Sequence, residues 1–187
     1  RSDSTHLDVR GLKATPNIPG EIGIPALRAG MPISPVLCGL QSAAMTNLTD
    51  AQRAFLESQR AAAMITPARD GMPRAVRVGE AIVDGKLWSS GTEGRKRTAR
   101  LRQDPRCTLF VFDNTWKFLT LETTVSILDG ADVPELSLRM FRLMQNRPTG
   151  DLTWFGKTLN PEDFMRTMAE EKRLIYEFNI TRAYGTV

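Results

Sequence analysis

The sequence predicts a mainly β fold with added helices: a six-stranded antiparallel barrel carrying short peripheral helices. Two observations point there. Short alternating apolar runs are joined by two-residue turn signals, Asp70-Gly71, Asp84-Gly85 and Asp113-Asn114, which favour hairpins over crossovers. The helical signatures are four, all brief, and sit between groups of strands rather than after each one. No internal repeat interrupts this pattern.

Residues 1–44 read differently from the rest. They hold Gly11, Pro16, Pro19, Gly20, Gly23, Pro25, Gly30, Pro32, Pro35 and Gly39, and no helical or alternating period survives that punctuation. The apolar stretch Ile33 to Leu40 is broken by Pro35, unlike the core of a signal peptide. The expectation is an irregular or disordered arm over 1–44, not necessarily native to the domain, and a functional domain over 45–187 opening at Met45.

Within that domain, Thr49-Asp50-Ala51-Gln52 is a capping-box pattern starting a helix to Arg60, with Ala51, Ala54 and Phe55 facing inward. Ala61 to Thr66 is a strand, bounded by Pro67. Arg74 to Val83 alternates as one strand with Val76, Val78 and Ile82 on one side, and Lys86 to Ser90 returns from the Asp84-Gly85 turn. A loop, Ser90 to Gly94, leads to a basic helix from Arg95 to about Gln103, stopped by Asp104-Pro105. Cys107 to Phe112 is a strand, and Trp116 to Leu128 a long one. Asp132 with Glu135 caps a helix to Gln145 whose stripe is Val133, Leu136, Met140, Leu143 and Met144. Asn160-Pro161 starts the last helix, and Arg173 to Ile180 is the closing strand.

Composition narrows the chemistry. The chain has 187 residues, one histidine, two cysteines and a net charge of +4. With the lone histidine, His6, in the arm, the domain has none for a Ser-His-Asp triad, a histidine-rich zinc site or a His-ligated haem. Cys38 and Cys107 form no disulfide framework, so a reducing cytoplasm is the expected compartment. No stretch approaches the ~20 apolar residues of a membrane span. Arginines and lysines cluster at Arg95, Lys96, Arg97, Arg100, Arg102 and Arg106, opposed only by Asp104. Arginine suits bidentate phosphate contact, so the cluster reads either as a phosphate or nucleic-acid site or as a solvated helix face. Aromatic residues do not interleave with the cluster, which counts against a single-strand nucleic-acid platform. Trp88 and Trp154 read as packing residues and Cys107 as an inert buried thiol.

Three segments, in order, resemble the split-barrel flavin and deazaflavin oxidoreductases of the pyridoxamine-phosphate-oxidase-like superfamily. They are Ala63–Thr66 with Asp70–Arg74, the run Arg95–Arg106 ending Asp104-Pro105-Arg106, and Pro161–Gly185. The last is similar to the ending of the branch that uses coenzyme F420. The resemblance covers nearly all of 45–187 and none of 1–44. It implies a split barrel of the FMN-binding type and a homodimer with the cofactor between subunits. It implies a phosphate on Lys96 and Arg97, with Arg100 and Arg77 continuing the basic channel. The ring would lie against Val78, Gly79, Ser90 and Gly91, with Trp116 and Lys117 reaching the cofactor from the long strand. Arg97 stands where close relatives carry lysine, and Arg100 where Asn is commoner. The arginine-containing substrate motif of true pyridoxamine-phosphate oxidases is absent from Phe178 to Val187, which argues against vitamin B6 oxidation.

The function so implied is hydride transfer between F420 and a small organic acceptor. FMN is the alternative cofactor, in an oxidase, a flavin reductase or a non-enzymatic carrier. A nucleic-acid binder is the reading from another class. No side chain stands out as catalytic acid or base.

Overall fold

The computed structural model describes residues 48–187. The arm expected over 1–44 and the start at Met45 lie outside the described residues. The chain runs α1 (Asp50–Gln59), β1 (Ala61–Pro67), β2 (Pro73–Gly79), β3 (Ala81–Val83), β4 (Lys86–Thr92), α2 (Lys96–Gln103), β5 (Arg106–Phe112), β6 (Phe118–Leu128), α3 (Val133–Met144), β7 (Leu152–Trp154), β8 (Lys157–Leu159), α4 (Pro161–Glu170) and β9 (Arg173–Thr186). The main sheet has seven antiparallel strands rather than six, in the order β2-β1-β5-β6-β9-β4-β3, and β7 pairs with β8 apart from it.

The extra strand comes from a break inside the alternating run Arg74–Val83. Glu80 divides that run into β2, which pairs with β1, and β3, which pairs with β4. These strands are the two ends of the sheet, yet one residue joins them. The sheet must therefore curl until its edges meet, and β2 does lie beside β4. Sequence alternation stays in phase across the break, because Val76, Val78 and Ile82 all pack against the same interior cluster. That interior includes Leu56, Met64, Leu87, Leu109, Leu121, Tyr176 and Phe178, each fully buried. Area removed from water by such residues is the main favourable term in folding.

Several elements end where local chemistry dictates. Thr49 caps α1 as expected, its hydroxyl accepting from Gln52 N while Gln52 Oε1 accepts from Thr49 N. Phe55 and Leu56 face the core, whereas Ala51 and Ala54 are exposed. Asp84 and Gly85 both have positive φ, 50° and 75°, the geometry of a two-residue hairpin turn that matches strand twist. Strand β6 begins at Phe118 instead of Trp116. The Asp113 carboxylate accepts from Thr115 N at 2.7 Å and Lys117 N at 3.3 Å, holding 113–117 as a turn.

Strand β9 runs past Ile180 to Thr186. A bulge lets it continue: Ile180 faces Thr123 and Arg182 faces Glu122, leaving Thr181 as the extra residue. Helix α3 covers the opposite face of β9 with Met140 against Ile175, Trp88 and Val83. This explains why β9 is buried on both faces between Leu174 and Tyr176. Asp132 makes no side-chain cap on α3, and Leu143 on the expected apolar stripe is half exposed. Helix α4 starts at Asn160, whose Oδ1 accepts from Asp163 N at 2.9 Å. It packs Phe164 and Met168 on Leu152, Phe141 and Trp154.

Strand β4 extends through Gly91 to Thr92, so the expected loop shortens to the residues after it. Gly91 is required there, because a Cβ at this position would overlap the ring of Tyr176 on β9. Gly91→Ala should lower stability by about 1–3 kcal/mol, the usual cost of overpacking. A urea titration that leaves the midpoint unchanged would contradict this packing.

Glu80 is 1% exposed, and burial pushes its carboxyl from 4.5 up to about 7, against the lowering influence of Arg60. The unfolded carboxyl gives up its proton first as pH rises. The folded chain is therefore favoured most below the ordinary value and loses that advantage up to about pH 7. Between pH 5 and pH 8 the loss should be about 2–3 kcal/mol. Urea titrations at both pH values should show this loss in the parent and little of it in Glu80→Gln.

Candidate functional site

The basic cluster divides on folding. Arg102 pairs with Asp129 at 3.0 Å, Arg106 with Asp104 at 2.7 Å, and Arg100 Nε donates to Thr66 Oγ1 at 3.0 Å. Among the described residues no carboxylate lies within ion-pair distance of Arg95, Lys96 or Arg97. These three open α2, whose first turn contains no acidic side chain and whose Arg95 gives no side-chain cap. Cations at a helix N-terminus are unfavourably placed against the positive end of its dipole. Exposed N–H groups and guanidinium groups at that end suit an anion.

This helix start is held from the interior. Thr98 Oγ1 donates to Thr92 O at 2.7 Å and lies 2.6 Å from Tyr176 Oη. With the threonine proton committed to the carbonyl, the tyrosine hydroxyl is the donor in the second bond. Both side chains are fully buried. The Arg97 guanidinium stands over the Tyr176 ring, 5.8 Å from its centre. Its Nε is buried and has no hydrogen-bond partner among the described residues.

Two depressions meet on the β2 edge. A groove of about 530 Å³ runs between Arg74–Val76 and the α2 start, lined by Gly94, Lys96, Arg97 and Arg100. A second one of about 460 Å³ is lined by Ala61–Ala63, Ala75–Arg77, Gln59 and Phe112. They share Ala75 and Val76, so a cationic slot and a mostly apolar shelf border the same stretch of β2.

The expected residues are distributed unevenly over this arrangement. Lys96, Arg97 and Arg100 line the groove, and Arg77 lines the shelf. Val78 points into the barrel core, and a Cβ on Gly79 would meet Met144 of α3. Ser90 and Gly91 lie within β4, Gly91 against Tyr176, and neither lines the groove. Trp116, 91% exposed, and Lys117 sit in the turn between β5 and β6 rather than on the long strand. That turn follows Phe112, the aromatic end of the shelf.

Arg74, Phe112 and the alanines of the shelf were not among the expected site residues, although Ala63 and Arg74 lie in the first resembling segment. Their signal is a period of two: Ala61 and Ala63 on β1 and Ala75 on β2 form a small-residue outer face. Arg74 is itself paired with Asp70 at 2.6 Å. Trp88 and Trp154 are packing residues whose indole N–H groups donate to Glu177 and Glu171. Burial pushes the Cys107 thiol up to about 12, as suits an inert cysteine. Among the described residues no helix is long and apolar enough to cross a membrane.

Solved structures share this architecture. A conserved hypothetical protein from Mycobacterium tuberculosis is 21% identical, with a TM-score of 0.57 over 78% of this chain and 88% of that one. An F420 reductase is 18% identical, with a TM-score of 0.54 over 73% and 98% of the two chains. An FAD-binding protein from Mesorhizobium loti is 17% identical, with a TM-score of 0.53 over 74% and 94%. At these identities the likeness is one of fold. No curated protein matches the chain. The family model for pyridoxamine 5'-phosphate oxidase matches residues 48–176, from the start of the described domain into β9. With the split-barrel sheet in place over the same span, the chain belongs to the pyridoxamine 5'-phosphate oxidase family.

Proposed function

We propose that the protein is an F420-dependent oxidoreductase acting on a small organic acceptor. The observation that carries this reading is that a cationic groove and a mostly apolar shelf border the same β2 residues, Ala75 and Val76. A phosphorylated cofactor with a flat ring needs both, in that order. The buried, unpartnered Nε of Arg97 and the uncapped start of α2 fit the phosphate, and the small outward residues Ala61, Ala63 and Ala75 leave room for a ring. Arg100, which has no carboxylate within ion-pair distance among the described residues, extends the positive charge beyond Arg97 and favours a cofactor with an anionic tail over FMN.

When bound, the deazaflavin supplies hydride transfer, and the protein's part is binding, orientation and exclusion of water. In this reading Lys96 and Arg97 hold the phosphate and Tyr176, through Thr98, keeps the helix start in place. Phe112 bounds the ring. Val78 and Gly79 act through the backbone of β2, Ser90 and Gly91 through the packing of β4. No side chain is assigned a proton.

The reading includes a homodimer. The outward face of β1, β2, β5 and β6 carries Ala61, Ala63, Ala75, Phe110, Phe112 and Phe118, with Phe110 stacked 5.5 Å from Phe112. Phe112 is 58% exposed, and contiguous exposed apolar surface marks a place of association. A second copy on this face would wall the shelf and bring its Trp116 and Lys117 near the cofactor. Sedimentation should give a dimer at micromolar concentration; a stable monomer contradicts the composite site.

Absorbance titrations with F420 and with FMN test the cofactor. F420 should bind more tightly, and Arg97→Ala should weaken it by about 1.5–3 kcal/mol, roughly ten- to a hundredfold. Arg97→Lys should recover part of the loss, since lysine keeps the charge without the planar fork. Unchanged binding by Arg97→Ala would remove the phosphate assignment. Tighter binding of FMN would make this a flavin enzyme or carrier. A chain starting at Met45 should keep its cofactor affinity.

A further inference from the structure

A second cavity, of about 340 Å³, lies among α1, the β2–β3 joint and the end of α3. Its volume is at the lower end of small-molecule sites. Five charged residues line it: Glu57 and Arg60 from α1 and its cap, Glu80 from the joint, and Arg142 and Arg147 from the α3 end. Leu56 and Ile82 supply its apolar wall.

Glu80 sets what this cavity can accept. Its side chain is 1% exposed, yet Oε1 has no hydrogen-bond partner among the described residues. A buried oxygen left without a donor is costly. Arg60, whose positive charge acts on Glu80, has its donors on backbone carbonyls. Its Nη1 donates to Leu143 O at 2.8 Å and Met144 O at 3.0 Å, and its Nε to Glu57 O. Arg142 and Arg147 use one donor each on backbone carbonyls, of Arg147 and Asp151, and keep the rest of their forks.

Three guanidinium groups against two carboxylates disfavour a bare organic cation here. A bare anion would answer the arginines but set its charge beside Glu80 and leave Oε1 unsatisfied. A molecule with an N–H donor at one end and a carboxylate at the other answers both. We propose that this cavity binds a small amino-acid-like zwitterion, its ammonium or amine on Glu80 and its carboxylate on Arg142 and Arg147. The site is separate from the basic groove, and it stands whichever cofactor that groove takes.

Calorimetric titration of the full chain with each standard amino acid tests the proposal. Acetate and methylamine serve as probes, each carrying one end of the zwitterion. At least one amino acid should bind saturably, while acetate and methylamine at the same concentration should not. Glu80→Gln and Arg147→Ala should each weaken binding about tenfold or more, as loss of a charge-assisted bond predicts. Arg147 is exposed, so its replacement reads out binding even if Glu80→Gln folds poorly. Added F420 or FMN should not displace the amino acid. Absence of any amino-acid binding overturns the proposal, as does acetate binding equally well. Undiminished affinity in Arg147→Ala, or displacement by either cofactor, overturns it too.

Discussion

Everything else in the domain depends on the closure of the sheet at a single residue. β2 and β3 are its outermost strands, and only Glu80 lies between them. The joint is held by Glu80 N donating to Arg60 O at 3.2 Å, while Arg60 itself turns the chain in the left-handed region, φ 51°. Arg60 then reaches across to the last carbonyls of α3. One corner thus ties α1, both sheet edges and α3 together. The groove along β2 exists because this edge is drawn round to face α2 instead of lying flat and open.

The second organising element is the buried line from Tyr176 through Thr98 to Thr92. It joins the centre of the sheet to the first turn of a helix whose surface is almost wholly cationic. Without an internal anchor, a helix of eight residues with that charge pattern has little of its own to hold it. The glycine at 91 lets the tyrosine ring approach, so three residue choices on three elements serve one placement.

What was legible in the sequence was local. Turn pairs such as Asp84-Gly85, caps such as Thr49 and Asn160, and the stop at Asp104-Pro105 operate over a few residues, and the structure matches them. The basic helix was visible because charge density is a compositional property. What was missed depends on partners distant in the chain. The break at Glu80 preserves alternation, so no periodic signal marks it. The β7–β8 hairpin is only three residues a strand, and Phe155-Gly156 at its tip lacks the usual Asn or Asp first residue. The division of the arginines into paired and unpaired members is set by Asp129 and Thr66, which the fold alone brings near. The placement of Ser90 and Gly91 inside β4 follows from Tyr176, some 85 residues onward. The family resemblance succeeded because it carries such long-range information implicitly.

The central position of β9 has a consequence for how the chain is made. Of the strands of this sheet, the one that follows all the others in chain order lies between β6 and β4 and supplies both with their partner. The β2-β1-β5-β6 half can form its pairings while the chain is still growing, but the β3–β4 hairpin must wait for Arg173–Thr186. Until then one edge of β6 and one edge of β4 offer unpaired N–H and C=O groups beside apolar surface. Completion of the domain is thus a late, long-range event, of the kind that slows folding and exposes nascent chains to mispairing. A ribosome stalled shortly before Arg173 would leave a sheet in two pieces.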